Sequence, residues 1–276
     1  MRINHNISAL NTYRQFNKNI GATSKSMEKL SSGLRINRAA DDAAGLSVSE
    51  KMRSQIRGLD QAVRNAQDGI SLIQTAEGAL SEVSDMLVRV KELAVQVMNG
   101  TYSDDDKANM GSEMKALDQA VNNIYTNTKF NGISVFSASS AISYGEDGTQ
   151  TVTIAAAAKS GWAALTALSS VAGTGADAAA KAITAKAVTV AAVDLAITGV
   201  NTDRATYGAQ QNQLEHATNN MATTKENLQA AESRVRDVDM ADEMMNYTKN
   251  NILIQAAQAM LAQANAQPQG VLQLLQ

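Results

Sequence analysis

The chain has 276 residues, a formal net charge of −3 and only 4% aromatic residues. A charge this close to neutral argues against nucleic acid as the main partner, because neutralising phosphates requires clustered lysine and arginine. The lack of cysteine excludes disulfides, thiolate metal sites and cysteine nucleophiles. One proline in the whole chain, Pro268, indicates long helices.

The first 35 residues carry apolar side chains three and four positions apart, the spacing of a helix that packs along one stripe. The stripe comprises Ile3, Ile7, Leu10, Tyr13, Phe16, Ile20, Met27, Leu30 and Leu34. Its period is close to the 3.5 residues of a coiled coil, so we expect long paired helices rather than a globular core.

The segment GLRINRAADDAAGL follows and brings together Arg35, Arg38, Asp41 and Asp42. Paired carboxylates can perform acid–base chemistry, but that requires an enclosing pocket, and no neighbouring sequence indicates one. We therefore predict a salt-bridged hinge in which Asp41 or Asp42 caps the next helix.

Residues 56–98 repeat the apolar spacing, and Asn99-Gly100 is a typical helix end. Ser103 and the three aspartates after it predict the start of a third helix. From about residue 133 to 190, Ser, Ala, Gly and Thr dominate. AISYGEDGTQTVTIA within this stretch predicts a β-hairpin, and the Ala-rich residues 155–190 fit either a weak helix or a loop.

The C-terminal part shows a third stripe, from Leu214 to Val238, and residues 209–267 contain neither Gly nor Pro. This window predicts one continuous helix, roughly 90 Å long. Residues 1–35 have a net charge of 6 − 1 = +5, and residues 236–276 have 2 − 4 = −2. We expect the two ends to pair. Their apolar stripes offset the entropy of ordering only when copies of the chain bury them together.

The predicted fold is therefore mainly α, with long antiparallel helices, a small β-hairpin region where the chain turns, and paired helices at both termini. Residues 1–35 with 236–276 form a terminal coiled-coil domain. Residues 36–235 form a rod-like helical domain, of which 130–190 is a variable surface segment.

Long motifs at both ends of the chain resemble those of bacterial flagellin. They are MRINHNISALNT, KLSSGLRINRAADDAAGLSVSEKMRSQIRGL, NAQDGISLIQTAEGAL, FNGI, AAESRVRDVDMADEM and QAMLAQANAQPQGVLQLLQ, which cover roughly residues 1–135 and 205–276. The short middle, 136–204, implies a form without the large outer domains of longer flagellins.

The resemblance implies a structural subunit of the flagellar filament, self-assembled outside the cell and used for motility. It implies export through the flagellar type III pathway without a cleaved signal. The implied partners are other copies of the chain, a flagellin export chaperone, and the filament cap and hook-junction proteins. No cofactor, metal, enzymatic activity, nucleic acid or membrane insertion is expected.

In this family both termini form the inner coiled-coil tube of the filament. The side chains expected to pack there are Ile3, Ile7, Leu10, Phe16, Ile20, Met27, Leu30, Leu34, Val238, Met245, Ile252, Leu253, Met260, Leu261, Val271, Leu274 and Leu275.

The resemblance also implies recognition by an innate immune receptor of the host, Toll-like receptor 5. The matching positions are Arg89 and Leu93 in MLVRVKELAVQ and Glu113 in GSEMKAL, with Val88 where the family motif commonly has Gln. Ser and Thr in 137–143 and 166–174 are candidates for O-glycans. Two alternatives stay open: a hook–filament junction protein of the same superfamily, and a secreted flagellin that carries an enzyme.

Overall fold

The computed structural model describes residues 6–136, 139–154 and 190–274, with side chains to residue 267. The elements in chain order are α1 (Ile7–Ser32), α2 (Ala43–Met98), α3 (Asp104–Asn127), β1 (Lys129–Phe130), β2 (Ile133–Ser134), β3 (Ser140–Ser143), β4 (Thr151–Ile154), α4 (Val190–Arg236) and α5 (Met240–Leu274). The predicted fold class, long helices with a small β region, is confirmed.

Two rows of six buried residues run along α2, and within each row the members are seven positions apart. They are Leu59, Ala66, Ile73, Leu80, Leu87 and Ala94, and Ala62, Gly69, Ala76, Val83, Val90 and Val97. Alternation of the two rows gives the spacing of three and four residues that marks a coiled-coil seam. The predicted end of this helix at Asn99-Gly100 is also confirmed, since α2 ends at Met98.

α4 runs antiparallel to α2. Lys225 Nζ lies 2.6 Å from Asp60 Oδ1, and Lys91 Nζ lies 2.6 Å from Asp194 Oδ1. Residue numbers thus rise along α2 as they fall along α4. Val193, Val200, Tyr207, Leu214 and Met221 are buried at intervals of seven residues along α4, so both helices use the same repeat.

The chain turns through two small antiparallel sheets, β1–β2 and β3–β4. Asn131 and Gly132 connect β1 to β2 with φ angles of 50° and 81°, the left-handed values that a tight hairpin turn requires. In the predicted second hairpin, Ser140 pairs with Ile154 and Ser143 with Thr151, which confirms that prediction. The Ala-rich stretch 155–189 lies outside the described residues.

The chain divides into two compact units. Unit 1 comprises Met1–Ile56 and Glu226–Gln276, and unit 2 comprises Arg57–Lys225. The predicted domain boundaries, at 35/36 and 235/236, lie near the ends of helices. The boundaries between the two compact units, at 56/57 and 225/226, lie inside α2 and α4.

In unit 1, α1 and α5 pair antiparallel. Asn6 Nδ2, just before α1, donates a hydrogen bond of 2.7 Å to the carbonyl of Ala264, whereas Leu34 at the other end bridges to Asp237. The prediction of paired terminal helices is confirmed.

The prediction of one continuous helix over residues 209–267 is wrong, because α4 ends at Arg236 and α5 begins at Met240. Backbone bonds to the other end of the chain interrupt it: Val238 N–H donates to Gly33 O at 3.1 Å. Asp239 Oδ1 then accepts from the N–H groups of Ala241 and Asp242, which caps α5.

Candidate assembly surface

The fully buried side chains of the seam between α1 and α5 are small or polar. Asn19 and Ser26 in α1 are 7% and 5% exposed, and Ala257 and Ala264 in α5 are each 9% exposed. Each pair is spaced by seven residues, as in a coiled coil. Small side chains let two helices approach closely, but they remove little apolar surface from water, so this seam stabilises the pair weakly.

Large apolar side chains lie instead on the outward faces of both helices, where 40–64% of each is exposed. We call this set the outer apolar face: Ile7, Leu10, Tyr13, Ile20 and Met27 in α1, and Met240, Met244, Met245, Ile252, Leu253 and Met260 in α5. Exposed apolar patches are typical of surfaces at which proteins bind other molecules.

The residues predicted for the inner tube fall into three groups. Eight of them, Ile7, Leu10, Ile20, Met27, Met245, Ile252, Leu253 and Met260, belong to the outer apolar face. Five are half-buried: Phe16, Leu30, Leu34, Val238 and Leu261. Ile3, Leu275 and the side chains of Val271 and Leu274 lie outside the described residues. Of the thirteen predicted residues whose side chains the structure describes, eight are exposed in the single chain.

Opposite net charges were expected to help the two ends pair. Within the described residues, however, no ion pair joins α1 to α5. The side chain of Asn6 instead bonds to the backbone of α5 at Ala264. Asn6 also accepts from Ala9 N–H and so caps α1. The local reason for the missing pairs is the seam itself, which is built from uncharged side chains.

The predicted hinge residues bind different partners. Arg35 donates from Nη2 to the carbonyl of Val235 at 2.7 Å, and Arg38 pairs with Glu28 at 2.8 Å. Asp42 caps α2 by accepting from Gly45 N–H at 2.9 Å. The backbone N–H groups of Arg38 and Asn37 hydrogen-bond to Asp41 and lower the pKa of its carboxyl.

An ionic cluster that no local sequence pattern predicts lies beside this hinge. Arg236, which is 9% exposed, donates to Glu50 Oε1 at 2.7 Å. Arg53 lies 3.8 Å from Glu50 and 3.1 Å from Glu232. Glu50 and Arg236 are 186 positions apart, so no local spacing reveals their contact. The position of Arg236 near the end of the apolar stripe from Leu214 to Val238 is the one sequence signal for this contact.

Arg89 of α2 and Glu113 of α3, two residues of the predicted receptor site, form an ion pair of 3.0 Å at the surface of unit 2. Arg89 also pairs with Glu92, and the hydrogen bonds that Arg89 donates to the carboxylates of Glu92 and Glu113 raise the pKa of Arg89. Leu93 is only 2% exposed because it belongs to the core between the helices. The side chain of Leu93 is therefore not part of the surface on which Arg89 and Glu113 lie.

Across the described ranges we find no helix with the length and hydrophobicity that crossing a bilayer requires. The same ranges contain no cluster of three or more His, Asp or Glu side chains arranged to hold a metal ion.

Two family models match the chain. The model of the bacterial flagellin N-terminal helical region matches residues 3–141, and that of the C-terminal helical region matches residues 190–275. A flagellin of Halalkalibacterium halodurans is 50% identical over 283 residues, covering 100% of both chains. The flagellar filament 30.7 kDa core protein of Treponema maltophilum is 45% identical over 284 residues, again covering 100% of both.

Among solved structures, the crystal structure of Bacillus cereus flagellin aligns with a TM-score of 0.46 and 31% identity, covering 57% of this chain and 88% of that one. The family models and the full-length relatives decide the assignment. The chain belongs to the bacterial flagellin family.

Proposed function

We propose that this chain is a structural subunit that self-assembles into the helical filament of the bacterial flagellum, where it works outside the cell in motility and not as an enzyme. The observation that supports this most directly is the outer apolar face. The buried positions of the helix pair hold Asn, Ser and Ala, whereas Ile, Leu and Met side chains are exposed. The largest apolar side chains are therefore available for contacts with neighbouring molecules.

Other copies of the same chain are the natural cover for this face. A patch that packs against a different patch on an identical copy makes a head-to-tail contact, and repeating that contact builds an open helical polymer. On this proposal, residues 1–35 and 236–276 form the inner tube of the filament and 36–235 the rod-like outer domain. Burial of Ile7, Leu10 and Ile252 by neighbours then supplies the stability that the seam lacks.

Seeded growth tests the proposal. Purified full-length chain added to filament fragments should lengthen them, as measured by electron microscopy, whereas Ile252→Ser should lengthen them at least about tenfold more slowly because a buried methyl-rich contact is lost. Leu195→Ser is the matched control, since Leu195 is 67% exposed but lies on α4 in unit 2. If Ile252→Ser and Leu195→Ser lengthen the fragments at the same rate, the outer apolar face does not mediate assembly.

The same measurement separates the alternatives. A hook–filament junction protein of the same superfamily should add to a filament end without making long tubes. No observation on the described residues favours that reading or an enzyme-bearing flagellin.

Three kinds of partner protein are also proposed. A flagellin export chaperone would hold α5 before secretion, and the cap and hook-junction proteins would contact the growing and basal ends of the filament. The uncharged stretch 250–276 and its exposed Ile252, Leu253 and Met260 support a need for such cover. A pull-down comparing the full chain with one lacking residues 250–276 tests the chaperone contact, and equal binding would contradict it.

Recognition by Toll-like receptor 5 is proposed through Arg89 and Glu113. Both side chains are about half exposed, and their ion pair joins two helices into one surface. Arg89→Ala should lower receptor signalling in reporter cells. Glu92→Ala is the control, because it removes only the neighbouring partner of Arg89 within α2. Unchanged signalling by Arg89→Ala would count against this contact.

A further inference from the structure

The methionines of unit 1 are unusually exposed. Of the eleven methionines in the described residues, six are exposed and five of these lie in unit 1. We call these five the unit 1 methionines: Met27, Met240, Met244, Met245 and Met260, each 49–64% exposed. The other methionines of the described chain, Met98 excepted, are buried or half-buried.

On α5, two of these methionines lie side by side in one depression of the surface. Met244 and Met245 line a shallow depression of about 420 Å³ together with Thr248, Lys249 and Ile252. Met244 and Met245 are 49% and 64% exposed, so small solutes reach these side chains. Ile252 in the same depression belongs to the outer apolar face, so the methionines lie within the surface that the proposed function assigns to assembly.

We propose that the unit 1 methionines are oxidation sites of the free subunit, and that their conversion to sulfoxides prevents incorporation into the polymer. This inference rests on the proposed function. The oxidant is a two-electron peroxide such as hydrogen peroxide. A sulfur lone pair attacks one peroxide oxygen, the O–O bond breaks and an S–O bond forms. The other oxygen leaves as water after proton transfer. Sulfur loses two electrons and the peroxide gains them.

The consequence for assembly follows from the polarity of the product. A thioether packs as a soft apolar group, whereas a sulfoxide carries a strong hydrogen-bond acceptor. Burying that acceptor among Ile and Leu side chains of a neighbouring copy leaves it without a donor, which opposes burial. Subunits already in the polymer hide the same sulfurs from the oxidant. Oxidation therefore acts on the unassembled chain and spares the assembled one.

The test treats full-length chain with hydrogen peroxide before and after seeded polymerisation. Peptide mass spectrometry should find sulfoxide at the unit 1 methionines of the free chain and little in the polymer. Elongation by the treated chain should be at least about tenfold slower, because several sulfoxide oxygens lose their hydrogen bonds to water when a neighbouring copy buries them. Reduction by a methionine sulfoxide reductase should restore the rate.

Substitution by leucine, which conserves volume and apolarity, identifies the responsible sulfurs. A chain with Met→Leu at all five unit 1 positions should keep its elongation rate after peroxide. Met98→Leu is the matched control, since Met98 is 64% exposed, like Met245, but lies in unit 2. It should stay as sensitive as the unsubstituted chain.

Several outcomes would overturn the inference. One is unchanged elongation by chain whose unit 1 methionines are fully converted, and another is equal peroxide sensitivity of the five-leucine variant. If the five-leucine variant fails to assemble even without peroxide, the reductase experiment on the unsubstituted chain takes its place. Failure of the reductase to restore the elongation rate would then contradict the inference. Failure of the untreated, unsubstituted chain to elongate seeds would instead contradict the proposed function.

Discussion

At the scale of single residues, Gly69 leaves room for the Ile142 side chain of the β3–β4 hairpin to pack against α2. A Cβ atom at this position would overlap Ile142 Cδ1 of β3 and would lie 3.3 Å from Leu214 Cδ1 of α4. Gly69 is also a member of the buried rows of α2. Glycine weakens a helix, so its presence in the middle of α2 is explained by this close packing.

We expect Gly69→Ala to lower the free energy of unfolding by about 1–2 kcal/mol, because the overlap with Ile142 outweighs the gain in helix propensity. Gly78→Ala is the matched control in the same helix. No atom lies within 4 Å of a Cβ placed there, so it should raise the free energy of unfolding by about 0.5–1 kcal/mol. Urea unfolding followed by circular dichroism measures both, and a stabilising Gly69→Ala would refute this packing.

Asp106 supplies a second prediction at this scale. Its carboxylate accepts from the hydroxyl and the backbone N–H of Ser103, and these bonds lower the pKa of Asp106. The folded pKa is below the unfolded value of about 3.9, so the stabilisation is present above that pH. It is lost as the pH falls through the folded pKa.

An NMR titration of the Asp106 carboxyl in the Ser103→Ala variant should show its pKa moving up toward the ordinary value. Ser112→Ala should leave it unchanged, since the Ser112 hydroxyl bonds to Ala108 O elsewhere in α3. An equal pKa of Asp106 in the unsubstituted chain and in Ser103→Ala would show that the Ser103 hydroxyl does not stabilise the carboxylate.

At the scale of elements, the junction where α4 ends depends on the bond between Glu50 and Arg236. Arg236 is nearly buried, so removing its partner leaves a positive charge poorly solvated. Glu50→Gln should lower the free energy of unfolding by about 1–2 kcal/mol. Glu28→Gln breaks the exposed pair with Arg38 and should cost about 0.5 kcal/mol or less. Equal losses in the two variants would show that burial of Arg236 does not matter.

Spacing predicts the elements well where large side chains carry it. The row from Leu59 to Ala94 in α2, the cap at Ser103 and the turn at Asn131-Gly132 could be found from the sequence, whereas the second row, from Ala62 to Val97, was not predicted. The fully buried positions of α1 and α5 could not be found, because Asn19, Ser26, Ala257 and Ala264 give little hydrophobic signal. The half-buried Phe16, Leu30 and Leu261 belong to the predicted set. The break at 237–239 was missed because backbone bonds to Gly33 cause it, without Gly or Pro.

At the scale of the whole molecule, the chain holds two kinds of helix packing. Unit 2 has two full rows of buried side chains on α2, matched by those of α4. Unit 1 has a small-residue seam and an outer apolar face. We therefore expect unit 2 to be stable in the free chain, whereas the α1–α5 pair opens frequently until other copies cover it.

Amide hydrogen exchange, followed by mass spectrometry in dilute chain and in polymer, tests this most directly. Amides in Ile7–Ser32 and Met240–Leu274 should exchange at least about a hundredfold faster in the dilute chain than in the polymer, because opening of the pair is no longer opposed by neighbours. Amides of α2 within 59–97 should be protected in both. Full protection of α1 and α5 in the dilute chain would contradict the account.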